Sequence, residues 1–426
     1  MEGIMQKIVI IGGGFAGLNL ARKLAKKNMH VVLVDKQNHH MFQPLFYQVA
    51  SARLEPSNIS FPFRALFRNQ KQVEFRYATV ERVDAKMQTV FTSMGEITYD
   101  KLVIATGCRT NFFGNEALEK HTMAMKSTQQ TIHIRNTILT KFEQIMFVSS
   151  KQEESELMNI VIVGAGPTGV ELAGALAEMK RKVLPKDYPQ YDFSKLNIVL
   201  LEGSPNTLNA MSPVSQEWSK KYLLNMGVDV RTSTVVEDYD GHELKLKNGE
   251  VIPTQTVVWA AGVQGNTIEG LEQAEIIRNR YKVDRHSKVL NLDNVFAIGD
   301  ISYMETEKYP NGHPQVANVA INQGKCLAKN LVAMAQNQSL VDFEYKDKGT
   351  MATVGKHKAV VELPGFKFQG YFAWMVWMTL HLMLILSIRN KIVVFFNWAW
   401  RYITGDTSLR LILRDEKDRN LMRSND

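Results

Sequence analysis

The feature that most constrains this chain is a unit that it contains twice. "KIVIIGGGFAG" at residues 7–17 and "NIVIVGAGPTG" at residues 159–169 each pass from a short apolar strand pattern into a glycine turn and then a helical pattern. In the first copy Gly12, Gly14 and Gly17 give G-x-G-x-x-G, LNLARKLAKK continues as a helix, and a second strand, HVVLVD, ends at Asp35, 23 residues after Gly12. In the second copy Gly164, Gly166 and Gly169 repeat the spacing, and the strand NIVLLE ends at Glu202, 38 residues after Gly164. The extra length is "KRKVLPKDYPQYDFSK", in which Pro185 and Pro189 break the helix and predict an excursion before the second strand.

Each part of such a βαβ unit serves a phosphate. One glycine makes the tight turn, the next lets the backbone approach a pyrophosphate, and the third lets helix and strand pack closely. The helix N-terminus then presents free N–H groups and the positive end of its dipole. Asp35, followed by Lys36, is placed to accept hydrogen bonds from a ribose. Glu202 at the corresponding position favours the free 2′-hydroxyl of NAD over the phosphate of NADP. Two such units predict two dinucleotides, FAD and NAD(H), because a flavin takes a hydride from a nicotinamide and passes electrons onward. The alternative for the second copy is a unit kept only for packing.

At 426 residues, 45% apolar and 22% charged, the chain has room for two or three ordinary globular domains. Its net charge of +8 comes from dispersed basic residues with no recognition motif, which argues against a nucleic-acid partner. Two cysteines, Cys108 and Cys326, exclude a disulfide framework and a multi-cysteine metal site. The ten histidines show no H-E-x-x-H, and the His39–His40 pair leads into another segment, so no metal is expected. "MEGIMQKIVIIGGGFAG" enters a strand at once without a leader pattern, and a cytoplasmic protein is expected.

The C-terminal stretch departs from this soluble pattern. From Phe368 to Ile388 there is no Asp, Glu, Lys or Arg, about the length that crosses a bilayer, although Thr379 and His381 lie inside it. Trp374, Trp377, Trp398 and Trp400 cluster there with Tyr371 and Tyr402, as aromatic residues do at membrane interfaces. Two helices broken near "RNK" are expected, lying on a membrane with basic residues toward anionic lipid. A single span and a buried dimer interface are the alternatives.

Three more stretches, "LVIATGCR" (102–109, with Thr106 and Gly107), "TVVWAAGV" (256–263, with Gly262) and "NVFAIGD" (294–300, ending at Asp300), join the two fingerprints. Together they resemble the two-dinucleotide flavoprotein superfamily of pyridine-nucleotide oxidoreductases. "MFQPLFYQVAS" (41–51), "GPTGVELAGALAE" (166–178), "PQVANVAINQGKCLAKNL" (314–331) and "GTMATVGKHKAVVEL" (349–363) narrow the resemblance to type II NADH dehydrogenase. That resemblance implies electron transfer from NADH through FAD to a membrane quinone, menaquinone or ubiquinone, without proton pumping. Asp300 matches the aspartate that contacts the flavin ribityl and pyrophosphate region. Thr106, Gly107, Lys36 and Gln48 join the FAD set, with Gln43, Pro44, Leu45 and Tyr47 along the flavin, and Gly262 joins the NAD set. Glu171 matches a glutamate near nicotinamide and flavin, and is the expected catalytic residue.

Quinone contacts are implied at Asn318, Asn322, Gln323 and Lys356. Asn318 and Asn322 stand where the family carries glutamine, which shortens the reach of each amide. The expected fold class is α/β, with two Rossmann-like domains, one inserted in the other, and a C-terminal membrane-anchoring region of amphipathic helices. The expected boundaries are 1–112 and 285–340 for the FAD domain, 113–284 for the NAD domain and 341–426 for the anchor. A homodimer on the cytoplasmic face of the cell membrane is expected. Two rival functions remain at this stage, a sulfide:quinone reductase using Cys108 and Cys326, and a non-enzymatic flavin- and NADH-binding signalling protein.

Overall fold

The computed structural model describes residues 5–404 and 409–413. Packing groups Met1–Met41, Ser60–Arg109 and Val263–Lys346 into one unit, and Phe42–Ile59, Thr110–Gly262 and Asp347–Asp426 into a second. Each contains a five-stranded parallel sheet. In the first unit the strand order is Val295–Ala297, Lys101–Ile104, Lys7–Ile11, His30–Asp35, Val73–Tyr77. In the second it is Met123–Ala124, Thr256–Trp259, Asn159–Val163, Asn197–Leu201, Val228–Arg231.

The glycine-fingerprint strand is third in both sheets. Ile10 lies in register with Leu33 and Val103, and Ile162 with Leu200 and Val258, so the two units repeat one pattern. Ile8, Val9 and Ile10 are wholly buried, as expected of a parallel strand covered on both faces. Gly12 takes φ +102°, and a Cβ on Gly17 would lie 1.9 Å from the Gly12 carbonyl oxygen. Only glycine lets the Phe15–Leu24 helix leave the strand this closely. Gly164 and Gly169 reproduce both features, with φ +102° and 1.9 Å.

The predicted excursion forms a short helix, Leu184–Asp187, and a turn, Phe193–Lys195. Phe193 holds it down, buried edge-on against Phe142 at a centroid distance of 5.5 Å.

The two Rossmann-like sheets agree with the expected class, but packing draws the boundaries differently. Leu271, Tyr281 and Val283 join Val9, Ile11 and Leu102 in the first core, so the first unit resumes at Val263 rather than at 285. Phe343 and Tyr345 belong to the same core and carry its end to Lys346. Residues 42–59 leave the first unit because the Phe46–Ala50 helix packs on the Thr128–Gln144 and Pro167–Lys182 helices.

The C-terminal region forms an antiparallel sheet, Thr350–Thr353, Ala359–Leu363 and Phe366–Gln369, followed by the helices Tyr371–Leu384 and Ile388–Thr404. It is integral to the second unit. A Cβ on Gly174 would lie 2.7 Å from the Gly355 nitrogen, and the Ser212 N–H donates to Glu362 Oε1 at 3.0 Å. The two helices part at Ile385–Ser387, ahead of "RNK", whose residues form the first turn of the second helix. Asn390 pins that turn by donating its side-chain amide to the Ser57 and Asn58 carbonyls, each at 3.0 Å.

Among the described residues no helix is long and apolar enough to cross a membrane. The 14-residue Tyr371–Leu384 helix is about 21 Å long, against about 30 Å of hydrocarbon.

Candidate active site

In the first unit the acid at the end of the second strand organises the glycine loop. Asp35 Oδ2 accepts the Gly13 N–H at 2.6 Å, and its Oδ1 accepts the Gln37 N–H at 2.7 Å. Lys36 beside it is exposed. No atom lies within 4 Å of a Cβ built on Gly14 or Gly107, which leaves room along both turns for a phosphate chain.

Thr106 Oγ1 donates to the Asn266 carbonyl at 2.7 Å, and the Asn266 amide returns a bond to the Thr106 carbonyl at 3.1 Å. The Cys108 thiol donates to Asp300 Oδ2 at 3.0 Å. His40, set aside in the sequence, is buried with Nδ1 2.9 Å from the Gly13 carbonyl. Burial pushes its pKa down to about 4, so at neutral pH the ring is uncharged and donates Nδ1–H to that oxygen. Its invisibility in the sequence is understandable, because the contact joins positions 27 residues apart.

Glu202 repeats the role of Asp35 in the second unit. Its Oε2 accepts the Ala165 N–H at 2.7 Å, while Oε1 accepts the Ser204 N–H at 2.8 Å and the Ser204 hydroxyl at 2.6 Å. Gly166 faces open space as Gly14 does. Gly262, at φ +72°, lies where a Cβ would meet the Phe113 ring at 2.8 Å.

Glu171, on the Pro167–Lys182 helix, is 8% exposed. Burial pushes its carboxyl up to about 8, against the opposing pull of the hydrogen bonds from Thr353. It ends a chain of hydrogen bonds whose first two links have a direction fixed by chemistry. The Trp398 indole can only donate, so Gln48 presents its oxygen to Nε1 at 2.8 Å. The Gln48 amide then donates to the Tyr47 oxygen at 3.0 Å. The Tyr47 and Thr353 hydroxyls share a bond of 3.1 Å in which either can donate, and Thr353 Oγ1 lies 3.4 Å from Glu171 Oε1, which also accepts the Thr353 N–H at 3.2 Å.

Tyr47, Gln48 and Thr353 line a cavity of about 480 Å³, open mouth included, together with Arg53, Gly355, Lys356, Trp374, Trp377, Met378, Trp398, Arg401 and Tyr402. The cavity therefore has aromatic walls and a basic rim. Glu171 stands one hydroxyl behind it. Lys356 Nζ donates to the Tyr402 carbonyl at 3.1 Å and sits 4.8 Å above the Tyr402 ring.

Asn318, Asn322 and Gln323 belong to the first unit, and Lys356 to the second. Asn322 donates its amide to the Asn318 carbonyl at 2.7 Å, within their own helix. Gln323 is buried, and its Oε1 accepts the Gly299 N–H at 2.7 Å and the Ser302 hydroxyl at 3.2 Å. It thus clamps the turn that carries Asp300. The tail tryptophans also divide: Trp377 (1% exposed) and Trp398 are buried, whereas Trp400 is exposed. Thr353, Arg53, Glu178 and Arg401 gave no recognisable spacing in the sequence, since partners such as Arg53 and Glu178 are 125 residues apart.

Two acid-clamped glycine loops on parallel sheets define a two-nucleotide oxidoreductase, and residues 6–324 match the pyridine nucleotide-disulphide oxidoreductase family. Residues 348–406 match the NDH2 C-terminal domain. The chain is 32% identical over 417 residues to the type II NADH:quinone oxidoreductase Ndh of Mycobacterium tuberculosis, covering 93% of this chain and 88% of the relative. It belongs to the type II NADH:quinone oxidoreductases of that family.

Among solved structures, NDH2 of Plasmodium falciparum in complex with NADH aligns with a TM-score of 0.88 at 20% identity, over 96% of this chain and 100% of that one. The sulfide:quinone oxidoreductase of Aquifex aeolicus aligns at 0.70 and 18% identity, over 99% and 95%. These likenesses show the fold. The Cys108 and Cys326 thiols have separate partners, Asp300 and the Val341 carbonyl.

Proposed function

We propose that this chain oxidises NADH and reduces a membrane quinone, with FAD between them. The observation that carries this reading is the aromatic cavity with its hydroxyl chain to Glu171, in a protein that also carries two clamped nucleotide loops. The first unit fits FAD through the open turns at Gly14 and Gly107 and the carboxylates of Asp35 and Asp300. Bound there, a flavin supplies hydride acceptance from nicotinamide and electron transfer to quinone.

The chain's own residues bind and orient the reactants. The N-terminus of the Pro167–Lys182 helix and the Gly164–Gly166 turn attract the NADH pyrophosphate, and Glu202 retains lone pairs for ribose hydroxyls. The indoles of Trp374, Trp377 and Trp398 offer flat apolar walls to a quinone ring. Lys356 places positive charge where a quinone oxygen gains electron density. Glu171, protonated below about pH 8, supplies a proton through Thr353 and Tyr47 to the cavity, and each hydroxyl passes one on as it receives one.

The test is steady NADH oxidation by the FAD-loaded protein with a short-chain quinone. Turnover is expected with NADH; consumption of sulfide without NADH oxidation overturns the reading.

The exposed residues Phe372, Met383, Leu384, Ile388, Ile392, Phe395, Phe396 and Ile403 give the two terminal helices an outward apolar face. Such a face seats on a bilayer, and NADH supply argues for its cytoplasmic side. Removing residues 365–426 would also remove the buried Trp377 and Trp398, so exposed side chains make the better test. Phe372→Glu, Ile388→Glu and Phe396→Glu together are expected to release the protein from vesicles without lowering its melting temperature. Unchanged sedimentation with vesicles overturns the membrane assignment.

A further inference from the structure

A second cavity of the same unit, about 330 Å³ with its mouth, is lined by Arg53, Lys182, Lys356 and Arg401 around one carboxylate, Glu178. That carboxylate is fully engaged. Its Oε2 meets Arg53 at 3.0 Å and Arg401 at 2.7 Å, and its Oε1 accepts the Lys356 backbone N–H. Among the described residues no carboxylate forms an ion pair with Lys182 or with Lys356 Nζ. Four cations thus converge on one anion, three charges in excess.

Crowding shows in the side chains themselves. Burial, then the neighbouring Arg401, pushes the Arg53 guanidinium down to about 10, and burial, then Lys182 and Arg401, pulls Lys356 below its ordinary value. Arg53 still carries its charge at neutrality. Like charges held in a partly buried space need a counter-anion. Guanidinium forks and ammonium groups converging from several directions suit a compact anion with several acceptor oxygens, and a phosphate has that form.

The surroundings suggest where the phosphate comes from. Arg401 lies on the Ile388–Thr404 helix, next to the exposed Trp400, Tyr402 and Ile403. A helix seated with that face in a bilayer holds Arg401 at the depth of lipid headgroups.

We propose that this cavity binds a single phosphate group, that of an anionic membrane lipid, with Lys182 and Arg401 at its mouth and Arg53 and Lys356 within. The site shares Arg53, Lys356 and Arg401 with the aromatic cavity proposed for the quinone, so its test reads binding rather than turnover.

Native mass spectrometry of the full-length, FAD-loaded protein in nonionic detergent, with added phosphatidylglycerol or phosphatidylcholine, reads it directly. One phosphatidylglycerol per chain is expected, with no comparable adduct of phosphatidylcholine. Lys182 is exposed, so Lys182→Gln keeps the fold; it is expected to cut that adduct about tenfold, the effect of losing a charged hydrogen bond. Arg389→Gln, which removes one exposed charge from the Ile388–Thr404 helix that carries Arg401, is expected to leave the adduct within about twofold.

A parallel arm compares melting temperatures in inorganic phosphate and in chloride of matched ionic strength. If phosphate stabilises the native protein but not Lys182→Gln, and no lipid adduct forms, the phosphate site stands and its ligand is the free ion. Equal adduct loss in both variants reduces the attraction to diffuse surface charge and overturns the proposal, as does the absence of both adduct and stabilisation.

Discussion

Glu171→Gln is expected to lower quinone-dependent NADH oxidation by about 10²-fold or more, the usual scale for losing a positioned acid, while flavin content stays unchanged. The pH profile separates this from a packing effect. Burial holds the native carboxyl up to about 8, so native turnover falls as pH rises through that value and the acid is lost. In Glu171→Gln that limb disappears.

Stability moves in the same window. A carboxyl raised from 4.5 to about 8 binds more protons folded than unfolded between those values, so its contribution declines as pH rises across them. The amide, which never ionises, is expected to melt above the native protein at pH values beyond about 8 and to approach it below about 4.5. Native-like turnover with the limb intact removes Glu171 from proton supply.

Glu178→Ala is expected to cost about 3–5 kcal/mol in urea unfolding, because it leaves the Arg53 charge buried without its partner. Arg53 has only 5% of its side chain exposed, and Arg401 only 19%, so water cannot replace the carboxylate cheaply. Adding Arg53→Met to Glu178→Ala is expected to recover part of the loss, since the stranded charge goes with it. A single-variant cost below about 1 kcal/mol would mean that solvent already screens the pair.

The sequence showed most clearly what short spacings encode. Gly12 to Gly17 and Gly164 to Gly169 must be glycine for local steric reasons, and Asp35 and Glu202 end strands that periodicity marks, so both nucleotide loops were legible. Glu171 was legible only through its resemblance to a family position; its burial and its bond to Thr353, 182 residues away, belong to the folded chain. Boundaries were less readable because Phe343 and Tyr345 look like any alternating strand, yet pack into a core begun at Val9. The tail tryptophans misled in part. Composition marks an interfacial belt, but helical phase turns Trp377 and Trp398 inward. Gln323, read as a quinone contact, has its carbonyl held by Gly299 and Ser302 inside the first unit.

The Ile388–Thr404 helix carries two cargoes on one rigid rod. Ile392, Phe395 and Phe396 face outward, while Trp398 feeds the hydrogen-bond chain that ends at Glu171. Seating on a bilayer and filling of the cavity therefore act on one body, and any preference of either event for a particular helix position is felt by the other to the same degree. Under the proposed function such a protein is a coincidence detector: the surface where a quinone dissolves would also set the geometry that supplies the proton.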